Sequence, residues 1–410
     1  MRIAGVLGAA LVLAACLPAA PTLLPHYEVR ATVDTARHTL AAVVKLTIPA
    51  SEVQAVNDFV LGGTYKVSSL DAWPRATVEV SPTDKPLPGL QKITMRCQAP
   101  RRNDLRLQVR YAGVLTSLDA QPMNSVTPDL IELSLDSLWL PVADSFSKRF
   151  TVNADIRGVP PDLVVVAQGS VRRTGKHVFI QRSIGDVDLP LVAMRGLQRA
   201  AAEGFELYAA DLSAEGPKTY LRHGGPIVKF LEAWFGPMPG RPVRMVVVRR
   251  QRKNGYNRLG YIVLAEGGTD PEAEVARWVA HEFAHAWWSP CDPGTEHRWL
   301  SESIAEYVAL RYVEAALGPS ALEEALAIRR DRARNAGPLL GAGVRDDAEL
   351  YNKGPLLLFD LEKRIGRAHM DQLLAGLARH PPHVTAEFMS ALVAVAGEEP
   401  ARVFEHAMRQ

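Results

Sequence analysis

The sequence predicts an α+β chain in two main parts, β-rich from residue 26 to about 212 and mixed α/β from 213 to 410. Three observations carry this reading. Short runs of β-branched or alternating residues, separated by Gly and Pro clusters, fill the first part. Helix start and stop signals take over after about Asp211, with two further strand-like runs among them. The 410 residues, 47% of them hydrophobic, suffice for more than one packed core.

Taken in order, the chain opens with Arg2, an apolar stretch over 3–13 and then Leu13-Ala14-Ala15-Cys16. This resembles a bacterial lipoprotein signal over 1–15, with small residues before the cleavage site. The apolar stretch is too short to span a bilayer core of about 30 Å as a helix. In the signals it resembles, Cys16 becomes the lipidated first residue, and the resemblance implies a lipid-anchored protein of the cell envelope facing the periplasm or exterior. An ordinary secretory signal is the alternative, because Arg2 is the stretch's sole charge. Residues 16–25, with Pro18, Pro21 and Pro25, read as a tether.

Strands are expected at 27–33, 40–48, 77–80, 93–97, 105–109 and 163–166, forming a β layer or sandwich. Further on, 244–248 and 260–264 read as strands. Ser320-Ala321-Leu322-Glu323 reads as a capping box, and Gly354-Pro355 opens a helix to residue 361, with more helix at 385–395 and 400–408. Cys97 and Cys291 are too few for a disulfide framework and are expected as unpaired, buried thiols. The formal net charge of +2 gives no basis for a nucleic-acid partner, and oligomeric state is left open. Two basic runs, Arg249-Arg250-Gln251-Arg252-Lys253 and Arg329-Arg330-Asp331-Arg332, are expected as a solvated loop and a solvated helix face.

The chemistry concentrates at His281-Glu282-Phe283-Ala284-His285. Thr269-Asp270-Pro271-Glu272 supplies helix-start signals about ten residues earlier, so both imidazoles fall on one helical face, four apart. Two such imidazoles can reach one Zn²⁺, and Glu282 beside them can take a proton from a water that the metal has acidified. A second helix from about Ser301, closed by Gly318, carries Glu302 as a third ligand and Glu306 one turn on as a hydrogen-bond partner that orients a ligating histidine.

The longer pattern adds Ala286-Trp287-Trp288, Trp299-Leu300-Ser301-Glu302, Glu306-Tyr307-Val308 and Tyr351-Asn352-Lys353-Gly354. Together these resemble the aminopeptidase N family of gluzincin zinc metallopeptidases, most closely over 255–410. Trp139-Leu140-Pro141 is similar to that family's Trp-Tyr-Pro segment. The resemblance implies a saddle-like N-terminal β domain on a thermolysin-like catalytic domain, in a short form lacking the family's C-terminal helical domain. It implies one Zn²⁺ held by His281, His285 and Glu302, Glu282 as general base, and Tyr351 as hydrogen-bond donor to the oxyanion. Sixteen residues separate His285 from Glu302, two fewer than the family's usual spacing. Where the family has a glutamate for the substrate's α-amine, Gly255-Tyr256-Asn257 stands, so Tyr256 and Asn257 are the substrate-binding candidates and exopeptidase recognition should weaken. Glu132 is the candidate for a replacement carboxylate. The leading expectation is a zinc peptidase acting on peptides. A noncatalytic peptide-binding scaffold and a zinc hydrolase of a non-peptide substrate, such as an epoxide or ester, are the alternatives.

Overall fold

The computed structural model describes residues 23–74, 76–85, 87–97, 103–116, 123–250, 254–266, 270–288, 295–341 and 346–410. The signal segment with Cys16, the Thr269 helix-start residue and Cys291 lie outside these. So does most of the first basic run.

The β part is built on a seven-stranded sheet in the spatial order Ser170–Thr174, His177–Asp186, Phe150–Arg157, His26–Asp34, Thr39–Ile48, Leu105–Val114, Tyr65–Trp73. His26–Asp34 and Thr39–Ile48 alternate buried with solvated residues, so one face packs and the other meets water. Two four-stranded sheets complete this part, one around Leu90–Cys97 and one around Leu191–Arg195. Cys97 is a free, half-buried thiol that donates to the Gln54 carbonyl at 2.9 Å.

Trp139 and Leu140 are buried against the seven-stranded sheet, and two of its tyrosines pin the segment. The Tyr111 hydroxyl donates to the Trp139 carbonyl at 2.5 Å and Tyr27 donates to that of Pro141 at 2.9 Å. The 3₁₀ turn Leu135–Ser137 just before it thereby faces the second part of the molecule, carrying Asp136.

A five-stranded mixed sheet follows, in the order Gln198–Ala202, Phe205–Ala209, Val243–Val248, Tyr261–Ala265, Gly255–Arg258. Two of its strands precede residue 212, so the change of sheet falls between Arg195 and Gln198 rather than at 212. Tyr261–Ala265 is buried throughout, as its unbroken apolar run requires of a strand covered on both faces. Gly255–Arg258 is the antiparallel edge beside it.

Eight helices among the described residues pack on this sheet and on each other: α1 Glu215–Phe235, α2 Glu272–Ala284, α3 Trp299–Leu317, α4 Pro319–Arg332, α5 Gly354–Ile365, α6 Arg367–Arg379, α7 Thr385–Ala396 and α8 Glu398–Arg409. α3 is buried along most of its length and forms the centre of the larger core with α2. The expected capping box at Ser320 does not form. Gly318, at φ 92°, closes α3 and opens α4 at once, so Pro319 takes the first helical turn and Ser320 lies inside it. No helix among the described residues is long and apolar enough to cross a membrane.

Candidate metal centre

α2 brings His281 and His285 to one side, His281 near its end and His285 as the residue that closes it. Val275, Val279 and Phe283 bury the opposite side against the larger core, which fixes the rotation of the helix. α3 crosses α2 and supplies Glu302 from its first turn. The Nε2 atoms of the two histidines stand 3.1 Å apart, and the nearest Glu302 oxygen is 3.5 Å from His281 and 3.7 Å from His285. Ligand atoms on a tetrahedral zinc at about 2.0–2.1 Å stand roughly 3.3 Å from one another, so this triangle fits that ion.

The other ring nitrogens are committed elsewhere. His281 Nδ1 donates to Glu306 at 3.1 Å, and His285 Nδ1 donates to the Trp288 carbonyl at 3.1 Å. That tautomer turns both Nε2 lone pairs toward the shared point. Ser301 Oγ also donates to the Trp288 carbonyl, at 2.7 Å, fastening the end of α2 to the start of α3.

Electrostatics agree with a cation site. Burial works against a charge on His281, yet hydrogen bonds to Glu302 and Glu306 outweigh it and push the imidazole up to about 10. Burial likewise opposes ionisation of Glu302, and the charges of His285 and His281 overcome it, drawing that carboxyl down to about 2.

Glu282 projects from α2 into the same cleft and is mostly buried. Tyr351 reaches the cleft from a π-helical stretch, Ala348–Lys353, that leads into α5. Its ring lies 5.5 Å from that of His281. Burial first, and then the Glu302 carboxylate, push its ionisation far above the ordinary tyrosine range, so the phenol stays a neutral donor. The stretch is braced on both sides: Glu349 accepts from the Gly337 amide at 2.7 Å, and Lys353 donates to the Gly337 carbonyl at 2.7 Å.

Gly354 makes this bracing possible. A Cβ there would lie 2.0 Å from Ser303 Oγ, whose hydroxyl donates to the Leu350 carbonyl at 2.7 Å. Gly354→Ala should therefore push the stretch bearing Tyr351 away from α3 and destabilise the fold by about 1–3 kcal/mol. A denaturant midpoint equal to that of the unmutated chain would contradict this packing.

The cleft, of about 1080 Å³, runs between the β part and the helices. Its wall includes the edge strand Gly255–Arg258, with Tyr256 and Asn257 both among the lining residues. Tyr256 is only 5% exposed and lies between guanidinium groups, with Arg250 5.9 Å and Arg258 5.0 Å from its ring centre. Glu132, the candidate for a replacement carboxylate, does not stand free toward a substrate. It is buried and ion-paired with Arg250, so Arg250 is not part of a solvated loop either. Arg258 next to them pairs with Asp188 at 2.9 Å and Asp136 at 3.2 Å, both from the β part. Asn257 points the other way and donates its side-chain amide to the Glu282 carbonyl, tying the wall to α2.

Behind the histidines sits Glu306, the expected partner of a ligating imidazole, together with Arg277 and Arg329, which sequence reasoning missed. Glu306 is fully buried, as its position one turn beyond Glu302 on an apolar helix implies. Burial alone would raise its pKa, but Arg277, His281 and Arg329 hold it well below the usual carboxylate range. Arg329 is 1% exposed, which overturns the reading of 329–332 as a wholly solvated face. The available signal was spacing: Leu322, Ala325, Leu326 and Arg329 recur as one buried stripe of α4.

An M1 zinc metallopeptidase from Deinococcus radiodurans superposes with a TM-score of 0.74 at 19% identity, over 95% of this chain and 93% of that one. The fold is that of the M1 zinc metallopeptidases. An E323A mutant of the Deinococcus M1 enzyme bound to a Tyr-Ser-Ala substrate gives the same score and identity, over 95% of this chain and 94% of that one. Native yeast LTA4 hydrolase matches with a TM-score of 0.72 at 15% identity, over 94% of this chain but 66% of that one. Thus the chain has nearly the full span of the M1 metallopeptidase from Deinococcus and about two thirds of the yeast hydrolase. No protein-family model and no curated protein matches the sequence.

Proposed function

We propose that this chain is a zinc-dependent hydrolase of peptide bonds. The observation that carries the reading is the convergence of three metal-ligand atoms, a carboxylate and a neutral phenol on one cleft. His281, His285 and Glu302 would hold the ion. Zinc, when bound, supplies Lewis acidity that acidifies a water and polarises a carbonyl.

The chain's own groups do the rest. Glu282 takes the proton of the attacking water and passes it to the departing amine nitrogen. Tyr351 donates its hydroxyl proton in a hydrogen bond to the oxygen on which negative charge develops, a donor preorganised by burial. Gly255–Arg258 is the outermost strand of its sheet on the cleft side, the position at which an extended peptide can add. Its side chains suit a substrate that need not carry a free α-amine, since Glu132 and the neighbouring aspartates are already engaged with arginines. Support also comes from the peptide and amino acids bound by the M1 structures of the same fold.

The test is turnover of a peptide library by the zinc-loaded protein, with each peptide present in free and N-acetylated form. Zinc-dependent cleavage of both forms is the expected result. No zinc-dependent cleavage would sink the activity, and cleavage of free N-termini alone would sink the account of the wall. Tyr351→Phe should lower kcat/KM about 10²–10³-fold with zinc binding unchanged. A variant as active as the parent chain would remove Tyr351 from the mechanism.

A further inference from the structure

Behind the metal site lies an ion cluster that the hydrolytic chemistry does not use. Glu306, 0% exposed, takes both oxygens into defined bonds: Oε2 accepts from His281 Nδ1 at 3.1 Å and from Arg277 Nη1 at 2.7 Å. Oε1 accepts from Arg277 Nη1 at 3.0 Å and from Arg329 Nε and Nη2, each at 3.2 Å. Arg329 is held in turn by Glu274, its Nη1 at 2.9 Å and Nη2 at 3.3 Å, and by the Ala325 carbonyl at 3.1 Å. Arg277 also binds Glu274, at 3.1 Å. Three helices meet here, because Glu274 and Arg277 belong to α2, Glu306 to α3 and Arg329 to α4.

A carboxylate that orients a histidine works only if it cannot rotate. A lone buried glutamate has torsional freedom and is poorly solvated, whereas the planar fork of arginine fixes both direction and plane. Here the two guanidiniums occupy the sites that His281 does not.

We propose that Arg329, with Arg277, is a positioning residue for the metal centre: it locks the Glu306 carboxylate so that His281 presents Nε2 to zinc. Arg329 touches neither the ion nor the substrate and acts through Glu306. The reach of the metal site therefore extends to α4, which supplies none of the metal-ligand atoms. This inference rests on the His281, His285 and Glu302 metal set and not on peptide hydrolysis.

The test uses the full chain, stripped with a chelator and reloaded. Arg329→Met replaces the guanidinium by an apolar side chain. It should weaken zinc binding about 10–100-fold in competition with a chromophoric chelator and should alter the visible spectrum of the cobalt(II) form. Arg330→Met, at an exposed neighbour on the same helix, should leave both readings unchanged. Arg329→Lys, which keeps the charge without the fork, should fall between.

A folded Arg329→Met protein with the parent zinc constant and cobalt spectrum would overturn the proposal. Should that variant not fold, Glu274→Gln carries the test, since it loosens the outer end of Arg329 while keeping side-chain volume. A weaker zinc constant there supports the proposal, and an unchanged one overturns it. Zinc affinity is read without substrate, so a chain that binds zinc as described but cleaves no peptide would refute the activity and leave this inference standing.

Discussion

Glu282→Gln is expected to lower zinc-dependent peptide hydrolysis about 10²–10⁴-fold while zinc binding stays as it was. Glu282 sits between the two histidines in sequence, yet the metal triangle is closed by Glu302 and does not include it. Glutamine preserves its shape and can still hydrogen-bond a water, but it cannot accept that water's proton. The loss should therefore fall on kcat. Steady-state kinetics and chelator competition on one preparation check both halves, and hydrolysis at the parent rate would end the case for Glu282 as the base.

Glu302→Gln should abolish most of the stabilisation that zinc confers. An ion that binds only the folded chain contributes about 2.7 kcal/mol when present at a hundred times its dissociation constant. Removing a ligating oxygen should weaken affinity by more than the 10–100-fold typical of losing an orienting partner, so at the same zinc concentration that gain nearly vanishes. Glutamine is close to glutamate in volume, and the metal-free fold should tolerate it. Thermal unfolding with and without zinc reads the difference. An equal zinc-induced rise in Tm for both proteins would show that Glu302 is not a ligand.

What was legible in the sequence is what depends on local spacing. His281 and His285 are four apart on a helix, and Glu302 and Glu306 sit four apart on the next, so each pair had to share a face before any tertiary contact was known. The strands with alternating burial were legible for the same reason.

What failed was the environment of charges. Arg250, Arg329 and Glu132 belong to residue types that are solvated by default, and each is buried because an opposite charge from a distant segment waits for it. Arg250 and Glu132 are 118 residues apart, a pairing that no local pattern encodes. Gly224-Gly225-Pro226 shows the same limit in the backbone. It is given no element from the sequence alone, and it lies inside α1, where a Cβ on Gly224 would come within 2.3 Å of the Phe205 ring.

The contacts of Arg258 and Asn257 set a lower bound on how small this molecule can be made. Arg258 moors the edge strand to carboxylates of the β part, and Asn257 beside it holds the carbonyl of the residue read as the base. A designer who trimmed the chain to its helices and five-stranded sheet would take from Arg258 both of its carboxylates, bare the Tyr256 ring to water and slacken the support behind Glu282. The β part is thus half of the mould in which the cleft is cast, and the smallest useful scaffold derived from this protein keeps both halves.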